Sequence, residues 1–420
     1  MAFRVRQQDI DVSQKRRFFI NRAFGLLWSG QTISVLGSYI TGSAIPLTAI
    51  LVLNVSPVQV GLLAVLSALP GLLFGLFIGV WVDRLPRRPL LLLADLIRAL
   101  LLLSLPIASL YGLLRMPQLY LVTMLLSICT ICFDTAYRSF LPQIVAHDQL
   151  VEGNSKLGIS SSLAEMGGPP LAGGLVQMIG APFAMLFDAL SFLISALCIG
   201  LLRSREIHAV TPVEKREPLW GAMYEGLRTL FGHPLLRTLV INTTLRDFFG
   251  GTFFALYTIY IVRELRMMPV LYGVLVALGG VGALIGSLMT PRLTQRFGVK
   301  RTLLCGVLLH GSLALATPLA SGSVPLVFGI LGISQLIGDI GFALYSINEI
   351  SLLQEEIPIH MQGRVNAVIG FLMGGAVPSG ALLAGIASEY IGTRLTLFCG
   401  GGGIFLVSVW CSFALVKYRG

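Results

Sequence analysis

The chain has 420 residues, 55% of them hydrophobic and only 12% charged, with a formal net charge of +10. A mean hydropathy of +0.83 and repeated apolar runs exclude an ordinary soluble domain, in which about 25% of residues are charged. The basic excess sits in short loops rather than on one face of a folded domain, so it is not a nucleic-acid footprint.

Residues 1–22 are polar and basic (Arg4, Arg6, Lys15, Arg16, Arg17, Arg22). The apolar run that follows is too long for a signal peptide and has no evident cleavage site. A membrane helix needs about 20 apolar residues. On that ruler the chain contains twelve spans, at 24–53, 58–80, 89–110, 117–138, 159–179, 182–202, 236–262, 269–290, 301–320, 324–350, 365–388 and 392–416. The first and tenth are overlong, so they tilt or project beyond the lipid. Pro46, Pro70, Pro169, Pro170 and Pro378 fall inside spans, where neighbouring helices hold such kinks.

Charge tests the count. With the N-terminus inside, 24 of the 30 Lys and Arg residues fall in cytoplasmic segments. Four lie in external loops (Arg115, Arg263, Arg266, Arg394) and two within spans (Arg98, Arg246). This asymmetry follows the positive-inside rule and places both termini in the cytoplasm. Between the sixth and seventh spans a polar linker, 204–234, separates an N-terminal bundle, 1–203, from a C-terminal bundle, 235–420. Within it, Leu219 to Phe231 reads as an amphipathic helix at the headgroup region with Trp220 facing inward. All six cysteines lie inside spans and cannot build an extracellular disulfide framework. Cys129-x-x-Cys132 has no nearby histidine, so it reads as helix packing; no metal or cofactor is expected.

The turn Gly79-Val80-Trp81-Val82-Asp83-Arg84-Leu85-Pro86-Arg87-Arg88 joins the second and third spans. It resembles the G-x-x-x-D-R-x-G-R-R loop of the major facilitator superfamily, matching at Gly79, Asp83, Arg84, Arg87 and Arg88 and departing at Pro86. A weaker echo, Ser287 to Arg301, stands between the eighth and ninth spans, with Pro291 where Asp83 would be. Gly168-Pro169-Pro170-Leu171-Ala172-Gly173-Gly174 in the fifth span is similar to the family's G-P-x-x-G-G element, associated with exporters that exchange substrate for protons. Leu27-Trp28-Ser29-Gly30-Gln31-Thr32-Ile33-Ser34, Leu353 to Pro358 and Gln362-Gly363-Arg364-Val365-Asn366 look like the macrolide-efflux branch, which also includes enterobactin-type siderophore exporters. The resemblance implies an all-α membrane protein of twelve transmembrane helices in two pseudo-symmetric six-helix bundles, in a bacterial inner membrane. It also implies that the Asp83 turn latches the cytoplasmic side, and that the first, fourth, seventh and tenth spans line a central cavity.

Ionisable residues inside spans are functional candidates by default. At about 1.5 Å per residue, Arg246 and Asp247 sit roughly 12 Å from the inner end of the seventh span. Asp339 in the tenth span reaches a similar depth, so the three are expected either as one proton- or substrate-handling cluster or as a static ion pair between helices. Glu165, one turn before the Gly-Pro element, is the next candidate. Asp95 with Arg98 and Asp134 with Arg138 are each one turn apart and suit local pairing or contact with the Asp83 turn.

No phosphate-cradling G-x-x-x-x-G-K-[ST] loop and no H-E-x-x-H helix occurs in the sequence, which argues against an ATP-driven pump or a membrane enzyme. The reading is a monomeric secondary transporter whose partners are a small molecule, protons and the lipid bilayer. It exports amphipathic molecules such as macrolides by proton antiport through alternating access. A siderophore exporter is the alternative; a lipid flippase or transporter-like sensor is the remaining one.

Overall fold

The computed structural model of the chain describes residues 22–82, 85–145, 149–202 and 219–417. Its first half comprises α1 (Arg22–Leu51), α2 (Pro57–Val82), α3 (Arg87–Leu110), α4 (Met116–Ile144), α5 (Leu150–Ile179) and α6 (Ala181–Gly200). The linker contributes α7 (Leu219–Gly232). The second half comprises α8 (Pro234–Ile259), α9 (Pro269–Phe297), α10 (Val299–Ala314), the single turn α11 (Ala316–Leu319), α12 (Val324–Glu356), α13 (Ile359–Ile391) and α14 (Thr393–Lys417). No strand occurs among the described residues.

Every predicted span coincides with a helix. Ten helices are long and apolar enough to cross a bilayer unaided, and α5 and α8 complete the twelve. These two are the more polar helices, with exposed Glu152 and buried Ser160 on α5 and buried Asn242, Thr243 and Arg246 on α8. The expected overlength is present, with 30 residues in α1 and 33 in α12. Large apolar side chains such as Leu100, Leu197, Phe254 and Phe413 stand exposed on the outer faces. An apolar surface of that extent suits lipid rather than water.

Three helix pairs, α5–α6, α9–α10 and α13–α14, are joined by single glycines: Gly180 (φ 92°), Gly298 (φ 84°) and Gly392 (φ 82°). A side chain is disfavoured at such a positive φ, so each hairpin turns at a residue without one.

Within the first half α1 packs on α5 and α6, α3 on α4 and α6, and α2 on α4. Within the second, α8 packs on α13 and α14, α12 on α9 and α10, and α10 on α14. The halves meet chiefly through two pairs, α2 on α13 and α5 on α9, with lesser contacts of α2 and α1 on α8. Both main crossings are built alike, with a glycine of each helix against the backbone of the other. A methyl added to Gly61 would stand 2.7 Å from the Ala381 carbonyl oxygen, and one added to Gly385 would stand 2.7 Å from that of Pro57. On the other side, Gly173 faces Pro269 and Val270, while Gly273 faces Pro169 and Pro170. The Gly-Pro element thus lets α9 approach at backbone distance at Gly173. Gly174 faces open space.

These crossings all lie toward the end remote from the basic loops. The apolar core shows the same asymmetry. One cluster reaches across both halves there, including Leu47, Ile50 and Leu119 of the first and Ile259, Ala384 and Leu397 of the second. Toward the basic end the core divides. Phe24, Phe140 and Ile199 form a cluster inside the first half. Leu239 with Leu415, and Leu236 with Val365, belong to clusters inside the second. The halves are sealed together at one end and packed separately at the other.

The linker helix α7 belongs with the second half. Gly226 lies against the Arg364 backbone of α13, and Glu225 pairs with the Arg364 guanidinium. The expected orientation of the Trp220 side chain lies outside the described residues.

The glycine crossings generate a test. Gly173→Ala should cost about 1–3 kcal/mol by overpacking against a backbone that cannot yield, whereas Gly174→Ala should be close to neutral. Thermal unfolding of the two variants in detergent checks this, and equal melting temperatures would refute the crossing's tightness.

Candidate functional site

Between the halves, at mid-depth, lies a cavity of about 790 Å³. It is lined by Gln31 and Tyr39 of α1, Arg98 of α3, Asp134 of α4, Glu165 of α5, Gly279 of α9 and Gln335 and Asp339 of α12. Among the described residues, the glycine crossings hold the halves together on one side of the cavity and leave space on the other. Gly168 places α5 directly against Tyr39, so the Gly-Pro element also shapes the cavity wall.

The ionic content of that cavity is uneven. Arg98 is its single Lys or Arg among the lining residues, and it is committed elsewhere. It pairs with buried Asp95 one turn away on α3. Its guanidinium is stacked 4.3 Å from the Phe133 ring centroid and 4.1 Å from that of Phe192. Such a cation, paired and sandwiched by rings, is a structural fixture. The expected local pairing of Asp95 with Arg98 is therefore present. Against it stand three lining carboxylates, Asp134, Glu165 and Asp339. Asp339 accepts a hydrogen bond from Gln335 Nε2 at 2.8 Å, and Gly279 makes room for both side chains.

Arg246, Asp247 and Asp339 do not form one cluster. Arg246 donates to Asp247 at 3.0 Å and lies 5.0 and 4.8 Å from the ring centroids of Phe342 and Tyr345. Asp339 is bonded instead to Gln335 within α12. The packing of α12 on α8 sets Arg246 beside Phe342 and Tyr345, and Asp339 one turn away beside Gln335, whose amide meets Tyr257 further along α8. The buried acid near Arg246 is Glu349, which sequence reasoning passed over. Glu349 accepts from Thr243, whose hydroxyl also meets the Tyr345 hydroxyl at 2.7 Å, and Asn242 donates to that hydroxyl at 2.8 Å. Its signal was available in retrospect. Tyr345 and Glu349 are four residues apart, on one helix face.

The turn between α2 and α3 is only partly described. Asp83 and Arg84 lie outside the described residues, while Gly79 is helical in α2. Arg88 donates to the carbonyls of Ile199 at 3.1 Å and Gly200 at 2.6 Å, at the C-terminus of α6. That places a cation on the negative end of a helix. It ties α3 to α6 inside one half, so this contact of Arg88 does not bridge the bundles, as a latch between them would.

A bridge of that chemistry occurs at the opposite end. Arg263 stands on a π-helical turn, Tyr260–Glu264, that continues α8. It donates to the Val55 carbonyl at 2.6 Å and the Ile50 carbonyl at 3.0 Å, at the C-terminus of α1 and in the turn beyond it. A residue of the second half thus caps a helix of the first.

Comparison with known proteins settles the architecture. The Major Facilitator Superfamily model matches residues 27–379 and, in a second match, 239–419. The chain belongs to that family. A macrolide efflux protein A of Streptococcus pyogenes is 26% identical over 92% of this chain and 95% of its own length. A multidrug efflux pump, Tap, of Mycolicibacterium fortuitum is 27% identical over 82% of this chain and 84% of its own. Among solved structures, an inward-facing bacterial homologue of the iron transporter ferroportin superposes with a TM-score of 0.76 at 19% identity, covering 94% of this chain and 98% of that one. The nucleoside transporter NupG superposes with a TM-score of 0.74 at 13% identity, covering 94% of this chain and all of the other. At these identities the superpositions establish the fold.

Arg263 supplies the second test. Arg263→Ala should loosen the sealed end without unfolding either half. In a cysteine-free background, a Ser43→Cys reporter in the cavity wall should react several-fold faster with a membrane-impermeant thiol reagent added to whole cells. Unchanged labelling would show that the glycine crossings alone hold the seal.

Proposed function

We propose that this transporter exports amphipathic organic cations, macrolide-like drugs among them, in exchange for protons. The observation that carries the reading is the charge of the central cavity: three carboxylates, against one arginine already paired and stacked. An anionic catecholate siderophore would find no available base among the lining residues, which weighs against that alternative. The sequence similarity to macrolide and multidrug efflux proteins points the same way. In this reading the bundles 1–203 and 235–420 rock about the cavity, joined by the linker 204–234. The end sealed by Arg263 faces the cell exterior, and both termini face the cytoplasm of a bacterial inner membrane.

Antiport needs a group that holds a proton in one state and releases it in the other. Asp339 suits the role, since its only hydrogen bond among the described residues comes from neutral Gln335 and it lines the cavity. A carboxylate that alternately loses and regains water as the bundles rock alternately binds and releases a proton. Asp247 is held by Arg246 and serves chiefly to neutralise it. Asp339→Asn should therefore abolish uphill export driven by a proton gradient in proteoliposomes. Asp247→Asn should retain it at reduced yield of folded protein. Full coupled export by Asp339→Asn would move the proton site elsewhere, to Glu165 first.

The orientation has its own check. A reporter tag inserted at residue 210 and one at the C-terminus should both read as cytoplasmic, and Arg115→Cys should label from outside. Protection of position 115 in intact cells would invert the assignment.

A further inference from the structure

Beside the central cavity lies a second, smaller compartment that the transport reading leaves unused. It occupies about 320 Å³ inside the second half, enclosed by α8, α9, α10, α11, α12 and α14. That is near the lower bound of ligand sites, about 300–1,000 Å³. Its walls include Phe253, Tyr257, Leu313, Ala314 and Ile404. It touches the central cavity along one strip only, since Val276, Gln335 and Asp339 line both spaces.

The strip is a hydrogen-bonded partition. The Tyr257 hydroxyl donates to Gln335 Oε1 at 3.5 Å, and Gln335 Nε2 donates to Asp339 Oδ2 at 2.8 Å. Asp339 is the single carboxylate among the compartment's lining residues, and no Lys or Arg accompanies it. His310 is turned to the Gly338 carbonyl, with Nδ1 at 3.1 Å. A carbonyl only accepts, so Nδ1 carries the hydrogen. The remaining lining is aromatic and aliphatic, with the hydroxyls of Thr317 and Ser334. One acid at the mouth of an aromatic and aliphatic recess is the recognition chemistry of an ammonium bearing an apolar group. The charge would pair with the carboxylate and the ring or alkyl group would leave water among Tyr257, Phe253 and the aliphatic side chains.

We propose that this compartment is a side subsite, taking the apolar N-substituent of an organic cation whose ammonium stands at Asp339 while the rest of the molecule occupies the central cavity. The proposal rests on the cation-export reading and adds a size filter to it. The partition must part for the substituent to enter, so the ammonium replaces Gln335 as the partner of Asp339.

The test compares tetramethylammonium with benzyltrimethylammonium in equilibrium binding to the purified full-length protein. The wild type should bind the benzyl compound roughly tenfold or more tightly, the value of removing one ring from water. Ala314→Leu fills the recess without touching Asp339 or the central cavity. It should erase that preference while leaving tetramethylammonium affinity unchanged within about twofold. Leu313→Ala enlarges the recess and should raise affinity for naphthylmethyl-trimethylammonium several-fold, a gain that misfolding cannot imitate. A benzyl preference that survives Ala314→Leu, with no gain in Leu313→Ala, would overturn the subsite. If Asp339→Asn then still weakened both cations, the export reading would stand without it. Failure of the wild type to bind either cation would overturn the cation reading and the subsite together.

Discussion

The rest of the molecule depends on how its two halves are held, among the described residues, at the end remote from the basic loops. Two glycine-on-backbone crossings, α2 on α13 and α5 on α9, bring the halves to van der Waals contact. One apolar cluster fuses them at that end, and separate clusters serve each half at the other. Close packing of this kind is favourable only when backbones can meet, which is why small residues carry it. A seal built from backbone contact and a few hydrogen bonds can also be dismantled without unfolding either half, as a rocking transporter requires.

Arginine is used in an unusual way at the edges of this fold. Arg88, Arg263 and Arg394 each turn to backbone carbonyls at or near helix C-termini: Ile199 and Gly200, Ile50 and Val55, Pro318 and Ala320. The last carbonyls of a helix have no intrahelical partner, and the helix dipole makes that end negative. A guanidinium with five donors satisfies two such carbonyls at once. Two of these clamps, Arg88 and Arg394, act within one half. Arg263 alone of the three crosses between halves, and it does so from a π-helical turn, an irregularity that often marks a working site.

The interior charges differ in how firmly they are held. Arg98 is fixed by Asp95 and two rings, and Arg246 by Asp247 and two more. Thr243, Tyr345 and Glu349 form a hydrogen-bonded tie between α8 and α12. Asp339, by contrast, has one neutral partner and borders two cavities. A carboxylate so placed is held less firmly than the paired and stacked charges of the interior.

The sequence by itself determined the twelve spans, the basic asymmetry of their loops and the family motifs, because length, hydropathy and charge are properties of consecutive residues. It also marked the Gly-Pro element at Gly168, Pro169 and Gly173, since only small residues and prolines would serve a tight, bent crossing. The fixed rise of a helix gave only a rough position of each residue along its span. Azimuth was not legible. Arg246 and Asp247 fall beside Phe342 and Tyr345 rather than beside Asp339, and Glu349 joined the Arg246 neighbourhood through the packing of α12 on α8. The partners of Arg88 and Arg263 were equally hidden, because a backbone carbonyl has no residue type to betray it. Only the tertiary structure, which fixes the rotation of each helix about its own axis, decided which charges meet, which stay apart and which of them opens onto a cavity.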